Sequence, residues 1–250
     1  IVFVAIYLAK SGDNTLGKWS FAIIILLFLL IATAFLMTSQ EYNFDNLFPM
    51  FSNSFDNIFA GSISLLAMPF GDIVLFLALG DYIKKSSSSY KIFLISIVTT
   101  IILMLLVFFK NLCVLGQSTM EISMFPSYAA ARMASLSVFF ERVEAVISYY
   151  FVIAGITKIA VCIIAAAKGS AKLLKIREYR NIVMPVGLVV FAVSMMLFDN
   201  TAQMFDFINK YPYISLPLQI GVPILLWIIA EIKHAVKEKP MPSMNQIIEG

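Results

Sequence analysis

Charge is the scarcest property of this chain. Asp, Glu, Lys and Arg make up only 13% of its 250 residues. A soluble domain usually carries about a quarter, so a water-soluble globular protein is excluded. Histidine occurs once, at His234, and cysteine twice, at Cys113 and Cys162, with no metal-ligand spacing. Both cysteines fall at or inside apolar segments and read as buried thiols, so neither a metal centre nor a disulfide framework is expected. There is no phosphate-binding glycine loop and no nucleophile with a neighbouring histidine, so no enzyme and no cofactor are expected. The net charge of +3 is explained by membrane topology, and no nucleic-acid partner is implied.

Hydrophobic residues, by contrast, make up 60% of the chain, and the mean hydropathy is +0.90. Four stretches carry no charge at all: residues 19–38, 92–109, 182–198 and 211–230. Each approaches the ~20 residues that cross a bilayer as an α-helix, well beyond the ~10 of a barrel strand. Two more spans hold an internal charge, 58–83 with Asp72 and 139–167 with Lys158. The fold class expected is therefore an all-α integral membrane protein, a single membrane domain surrounded by lipid. Residues 1–9 form an apolar stub too short to cross, without an initiator Met or a basic leader. It reads as the tail of a span, and the chain as the C-terminal part of a larger membrane protein.

The basic residues sort by side. Thirteen of the eighteen fall in alternate loops, at residues 10–18, 84–91, 168–180 and 233–239. Four lie on the opposite side (Lys110, Arg132, Arg142 and Lys210), and Lys158 lies within a span. The positive-inside rule places the first set, and the 231–250 tail, in the cytoplasm. Outside lies the loop 40–57, which has acids but no Lys or Arg, and the polar excursion 117–138. The small residues Ala129 to Ala134 within that excursion predict a short surface or re-entrant helix able to cap a cavity.

The span 58–83 carries a break. Met68-Pro69-Phe70-Gly71-Asp72 combines a residue that cannot continue a helix, one that loosens the backbone, and an acid near mid-membrane. Irregular backbone at that depth is tolerated only where protein or a watery cavity covers it, and transporters build solute sites from such discontinuous helices. If the chain unwinds between about 67 and 72, the carbonyls of Leu66, Ala67 and Met68 can accept from an ammonium. The N–H groups that open the second half-helix, around Phe70 to Ile73 and so including Gly71, suit a carboxylate. Ser64 before the break and Asp72 after it complete a candidate site for a zwitterion such as an amino acid. A packed proline kink, with Ser64 re-satisfying the backbone, is the competing reading.

A second constellation lies on one face of the span 139–167: Glu141, Glu144, Ser148, Phe151, Gly155, Lys158 and Cys162. Such a stripe should face the bundle interior. Lys158 sits about 15 Å from the nearest basic helix end at Lys168, too far to snorkel easily. It reads as a coupling charge or a structural ion pair, and Glu144 as part of a charge cluster at the helix start. Pro185, Gly187, Pro217, Gly221 and Pro223 read as packing or hinge kinks.

Three segments, in order and with the right spacing, resemble the spore germination permease family. They are Leu65-Leu66-Ala67-Met68-Pro69-Phe70-Gly71-Asp72-Ile73-Val74-Leu75-Phe76, then Phe125-Pro126-Ser127-Tyr128, then Phe140-Glu141-Arg142-Val143-Glu144 with Gly155-Ile156-Thr157-Lys158-Ile159. Asp72 stands where the family commonly has Glu, and a Trp frequent in the Lys158 span is not apparent. The family is the membrane B-subunit of nutrient germinant receptors and resembles the amino acid–polyamine–organocation superfamily, with ten helices in inverted repeats. The resemblance implies that this chain runs from the end of helix 4 through helix 10, with the break in helix 6. It also implies a role: sensing a small germinant, usually an amino acid, with an A-subunit and a lipoprotein C-subunit in the spore inner membrane. An amino-acid permease, with or without proton coupling, is the alternative, and a non-binding scaffold a third reading.

Overall fold

The computed structural model describes residues 1–48, 54–82, 89–134 and 143–237. Residues 86–88, Glu141, Arg142 and the tail beyond Lys237 lie outside them, as does the side chain of Glu144. The described residues contain nine α-helices and no strand. Six helical segments are long and apolar enough to cross a membrane: Asp13–Met37, Phe55–Leu79, Tyr90–Ile122, Ile147–Leu173, Arg180–Leu197 and Thr201–Lys233. In lipid every backbone polar group must be satisfied within the segment, which is why such apolar runs become helices. Leu29, Leu105, Val189 and Trp227 are among the many large apolar side chains left exposed, as suits surfaces that face acyl chains rather than water.

The chain divides into two compact units. The first contains residues 1–53 and 78–197. Its helices are α1 (Val2–Lys10), α2 (Asp13–Met37), α4 (Ser89–Ile122), α5 (Pro126–Ala134), α6 (Val143–Leu173) and α7 (Arg180–Leu197). The second contains residues 54–77 and 198–250, with α3 (Phe55–Ala67), α8 (Thr201–Leu216) and α9 (Val222–Lys237).

Small residues position the core of the first unit. Ala5, Ala9, Ala160 and Ala167 are fully buried where α1, α6 and α7 meet, and Ile163, Ile164 and Val183 fill the space between them. Alanine at these points lets helix backbones approach closely, the main source of association where water gives no hydrophobic drive. Gly187 serves the same end, because a Cβ there would overlap the Ile6 side chain. The helix expected from the alanine run is α5, whose fully buried Ala130 and Ala131 join separate clusters with Val114 and Leu115 of α4 and with Ala34 and Ile147.

Helix α4 runs well beyond the apolar stretch 92–109, and the charge at Lys110 does not end it. Lys110 is 3% exposed and Asn111 4%, so neither is a solvated loop residue. The bend comes later, at Gly116 with φ 70°. The kink frees the carbonyl of Cys113, which accepts from the backbone N–H of Asn43 at 3.1 Å and from Asn46 Nδ2 at 3.0 Å. A short 3-10 helix at Phe44–Leu47 holds those two asparagines there.

At the other end of the first unit, Asp13 opens α2 and Lys168 lies near the end of α6. Their side chains are 3.6 Å apart and largely buried. Tyr179 donates to Asp13 Oδ2 at 2.9 Å, and Lys168 Nζ donates to the carbonyl of Ala78 at 3.0 Å. Burial, then the Asp13 hydrogen bond and charge, raises the Tyr179 phenol above its ordinary pKa. Gly12, directly before α2, has φ 92°, and a Cβ on it would overlap the Arg180 guanidinium. Gly12→Ala therefore combines a forbidden backbone angle with a clash, and should cost about 1–3 kcal/mol. A thermal melt of the full-length protein should show a lower midpoint, while Gly17→Ala, with open space around it, should melt as wild type.

Candidate functional site at a broken helix

Helix α3 ends at Ala67, and Met68 is extended at φ −149° and ψ 115°. The Met68–Pro69 peptide is cis, and the chain resumes at Phe70 as a 3-10 helix through Tyr82. Pro69 has no N–H to give the carbonyl of Leu65. Among the described residues no backbone N–H crosses the break to the carbonyls of Leu66 or Ala67. On the far side, the Asp72 N–H closes a turn onto the Pro69 carbonyl at 3.2 Å. The N–H groups that open the second half are therefore those of Phe70 and Gly71, fewer than the sequence suggests.

Ser64 does not repair the break. Its hydroxyl donates backwards to the Ala60 carbonyl at 3.1 Å, as Ser62 does to Ile58 at 2.8 Å. Both bonds stay within α3, a common fate of helical serines. Ala67 is fully buried, Leu66 and Met68 are about half exposed, and Phe70, Gly71 and Asp72 are half-buried.

The second unit places another irregular segment against this one. Between α8 and α9 the chain makes a π-helical turn at Pro217–Gly221. Such turns are rare and frequently fall at functional sites. From it Gln219 packs its carboxamide onto Gly71, where any Cβ would overlap it. Gln219 Oε1 is buried and accepts no hydrogen bond among the described residues, and neither does Ser215 Oγ one turn earlier. A buried acceptor without a donor costs about 1–3 kcal/mol, so the break holds unmet polar capacity next to its freed carbonyls. Together these acceptors suit an ammonium, and the Phe70 and Gly71 N–H groups suit a carboxylate.

Sequence reading missed Gln219 and Ser215. The signal was present: two polar residues four apart in an otherwise apolar span, among Pro217, Gly221 and Pro223. The prolines and glycine mark kinks, and only tertiary contact shows what the amide between them meets.

The α6 constellation belongs to the first unit. Ser148, Phe151 and Lys158 are exposed there, and Gly155 and Cys162 half-buried, while Ala160, Ile163, Ile164 and Ala167 form the buried face. The stripe thus lies outside the core of its own unit. The backbone of Glu144 falls in the first turn of α6. Trp19 Nε1 donates to Thr157 Oγ1 at 3.2 Å, so the start of α2 meets α6 directly beside Lys158.

A family model described as spore germination protein matches residues 1–203. The chain belongs to the spore germination permease family. It is similar to spore germination protein KB of Bacillus subtilis (strain 168), 23% identical over 244 residues that cover 96% of this chain and 65% of the relative. It is also similar to putative spore germination protein YfkT of the same organism, 22% identical over 233 residues, 93% of this chain and 64% of the relative. The chain thus spans just under two thirds of the length of both relatives. No solved structure matches it. Family membership and the six membrane-length helices make this an integral membrane protein. The expectation of ten helices in inverted repeats goes beyond this, and six spans are what the described residues contain.

Proposed function

We propose that this chain is the ligand-binding part of a germinant receptor membrane subunit, and that it takes a small amino acid at the broken helix. The observation that carries the reading is the buried, donor-less Gln219 amide oxygen lying on Gly71, beside a helix break with open carbonyls on one side and open N–H groups on the other. A zwitterion satisfies both sets at once. Its binding would change the packing of the π-helical turn against the break, and a ligand shifts such an equilibrium only by the difference in its affinity for the two states. An A-subunit and a lipoprotein C-subunit in the spore inner membrane would read that shift, with Lys158 and Glu144 on α6 as the charges that couple it.

Asp72→Asn tests the reading, because it removes a charge at the break and keeps its size. Spores carrying it should need about tenfold more amino acid for half-maximal germination, the loss expected of one charge-assisted contact of ~1.4 kcal/mol. Subunit levels should stay normal. An unchanged dose–response curve at normal levels would remove Asp72 from the site. Uptake of labelled amino acid into vesicles at rates matching germination would instead favour a permease.

A further inference from the structure

A second polar site is built entirely from residues of the first unit. A cavity of about 200 Å³ opens between α2, α4, α5 and α6. Leu30, Ala34, Ile147 and Phe151 contribute to its apolar wall, and Lys110, Ser127 and Tyr150 are its polar lining. Lys110 is 3% exposed, yet its ammonium has neither an ion-pair nor a hydrogen-bond partner among the described residues. Among the described residues no Asp or Glu lines the cavity. A second cavity of about 400 Å³ shares Ile31, Val107 and Tyr150 with the first and is also lined by Asn111.

The neighbours of Lys110 that line the cavity with it offer hydroxyl donors, while Asn111 Oδ1 is buried without a hydrogen-bond partner among the described residues. Asn111 Nδ2 donates to Ser127 Oγ at 2.9 Å, which uses an oxygen lone pair and leaves the hydroxyl hydrogen for the cavity. The Tyr150 phenol supplies another O–H. Pro126 fixes the first turn of α5, so Ser127 is held on a rigid element. An ammonium and two hydroxyls, with no acid among the described lining residues, want an anion.

We infer that this cavity binds a small monocarboxylate with a compact apolar body, its carboxylate on Lys110, Ser127 and Tyr150. A zwitterionic amino acid fits poorly, because its ammonium would find no acid among the described lining residues. The volume equals roughly six or seven waters at ~30 Å³ each, enough for a short aliphatic or a single-ring acid. The site uses other residues than the break and takes an anion rather than a zwitterion, so it would modulate the protein rather than duplicate the sensor.

The test is fluorine NMR of para-fluorobenzoate titrated onto the full-length protein in phosphatidylcholine nanodiscs. Wild type should bind it saturably and should not bind the neutral para-fluorobenzamide. Lys110→Met should weaken binding by about tenfold or more. Ala34→Phe, which fills the cavity and leaves the charge, should block binding independently. Retention of binding in both variants, or equal binding of the benzamide, would overturn the inference. So would the absence of binding to wild type, which would mean that the cavity holds only water. Binding confined to long-chain fatty acids supplied in the bilayer would place a lipid headgroup on Lys110 and overturn the small-solute assignment.

Discussion

Gly71→Val should silence the response to amino acid, with half-maximal germination shifted by about a hundredfold or lost. The Gln219 carboxamide lies on Gly71, so any Cβ overlaps it and a branched one displaces the π-helical turn. Overpacking of this kind costs ~1–3 kcal/mol even where neighbours can move, and here it also fills the place a ligand would take. The clash has a specific partner, which makes it testable by a double mutant. Gln219→Ala in the Gly71→Val background should recover most of the lost thermal stability, since residues in direct contact are not additive. The double mutant should still fail to respond, because both the space and the amide are gone. A Gly71→Val protein that melts and responds as wild type would show that Gln219 does not pack on the break.

Gln219→Leu should give the opposite pairing of effects: a protein at least as stable as wild type that barely responds. The substitution keeps much of the volume and removes a buried acceptor that no described donor satisfies. Removing such a group recovers its desolvation penalty, ~1–3 kcal/mol. A residue that served only packing would not lose function while stability held or rose. Equal losses of stability and response would assign Gln219 to the structure alone.

Much of the fold was legible because lipid imposes simple rules. Charge-free stretches of span length mark helices without any need to know the packing, and Pro69 beside Gly71 announces an interruption. The end of α3 at Ala67 follows from backbone chemistry alone. The ends of other helices were harder. Lys110 looks like the close of a span, yet α4 continues through Ile122 because its ammonium turns into a cavity between helices. Only tertiary contacts reveal that. The bend at Gly116 is likewise set by Asn43 and Asn46, some seventy residues earlier in the chain.

The site was legible on one side only. The candidates Leu66 to Asp72 can be named from the motif, since the role proposed for them depends on local backbone geometry. Gln219 could not, because its role depends on a neighbour about 150 residues away and on a π-helical turn that no periodicity predicts. The Lys158 stripe shows the reverse difficulty. Its polar spacing is real, but helical periodicity fixes only which residues share a face and not what that face meets. In the first unit it lies opposite the buried alanines and isoleucines of α6.

The most direct test of a solute site at the break is photo-crosslinking with a diazirine analogue of whichever amino acid triggers germination in these spores. The full-length protein would be irradiated in membranes, with and without an excess of the unmodified amino acid, and the labelled peptides mapped by mass spectrometry. Competed adducts should fall within residues 64–73 and 215–221. Competed labelling confined to any other segment would place the amino acid elsewhere and contradict a binding site at the broken helix.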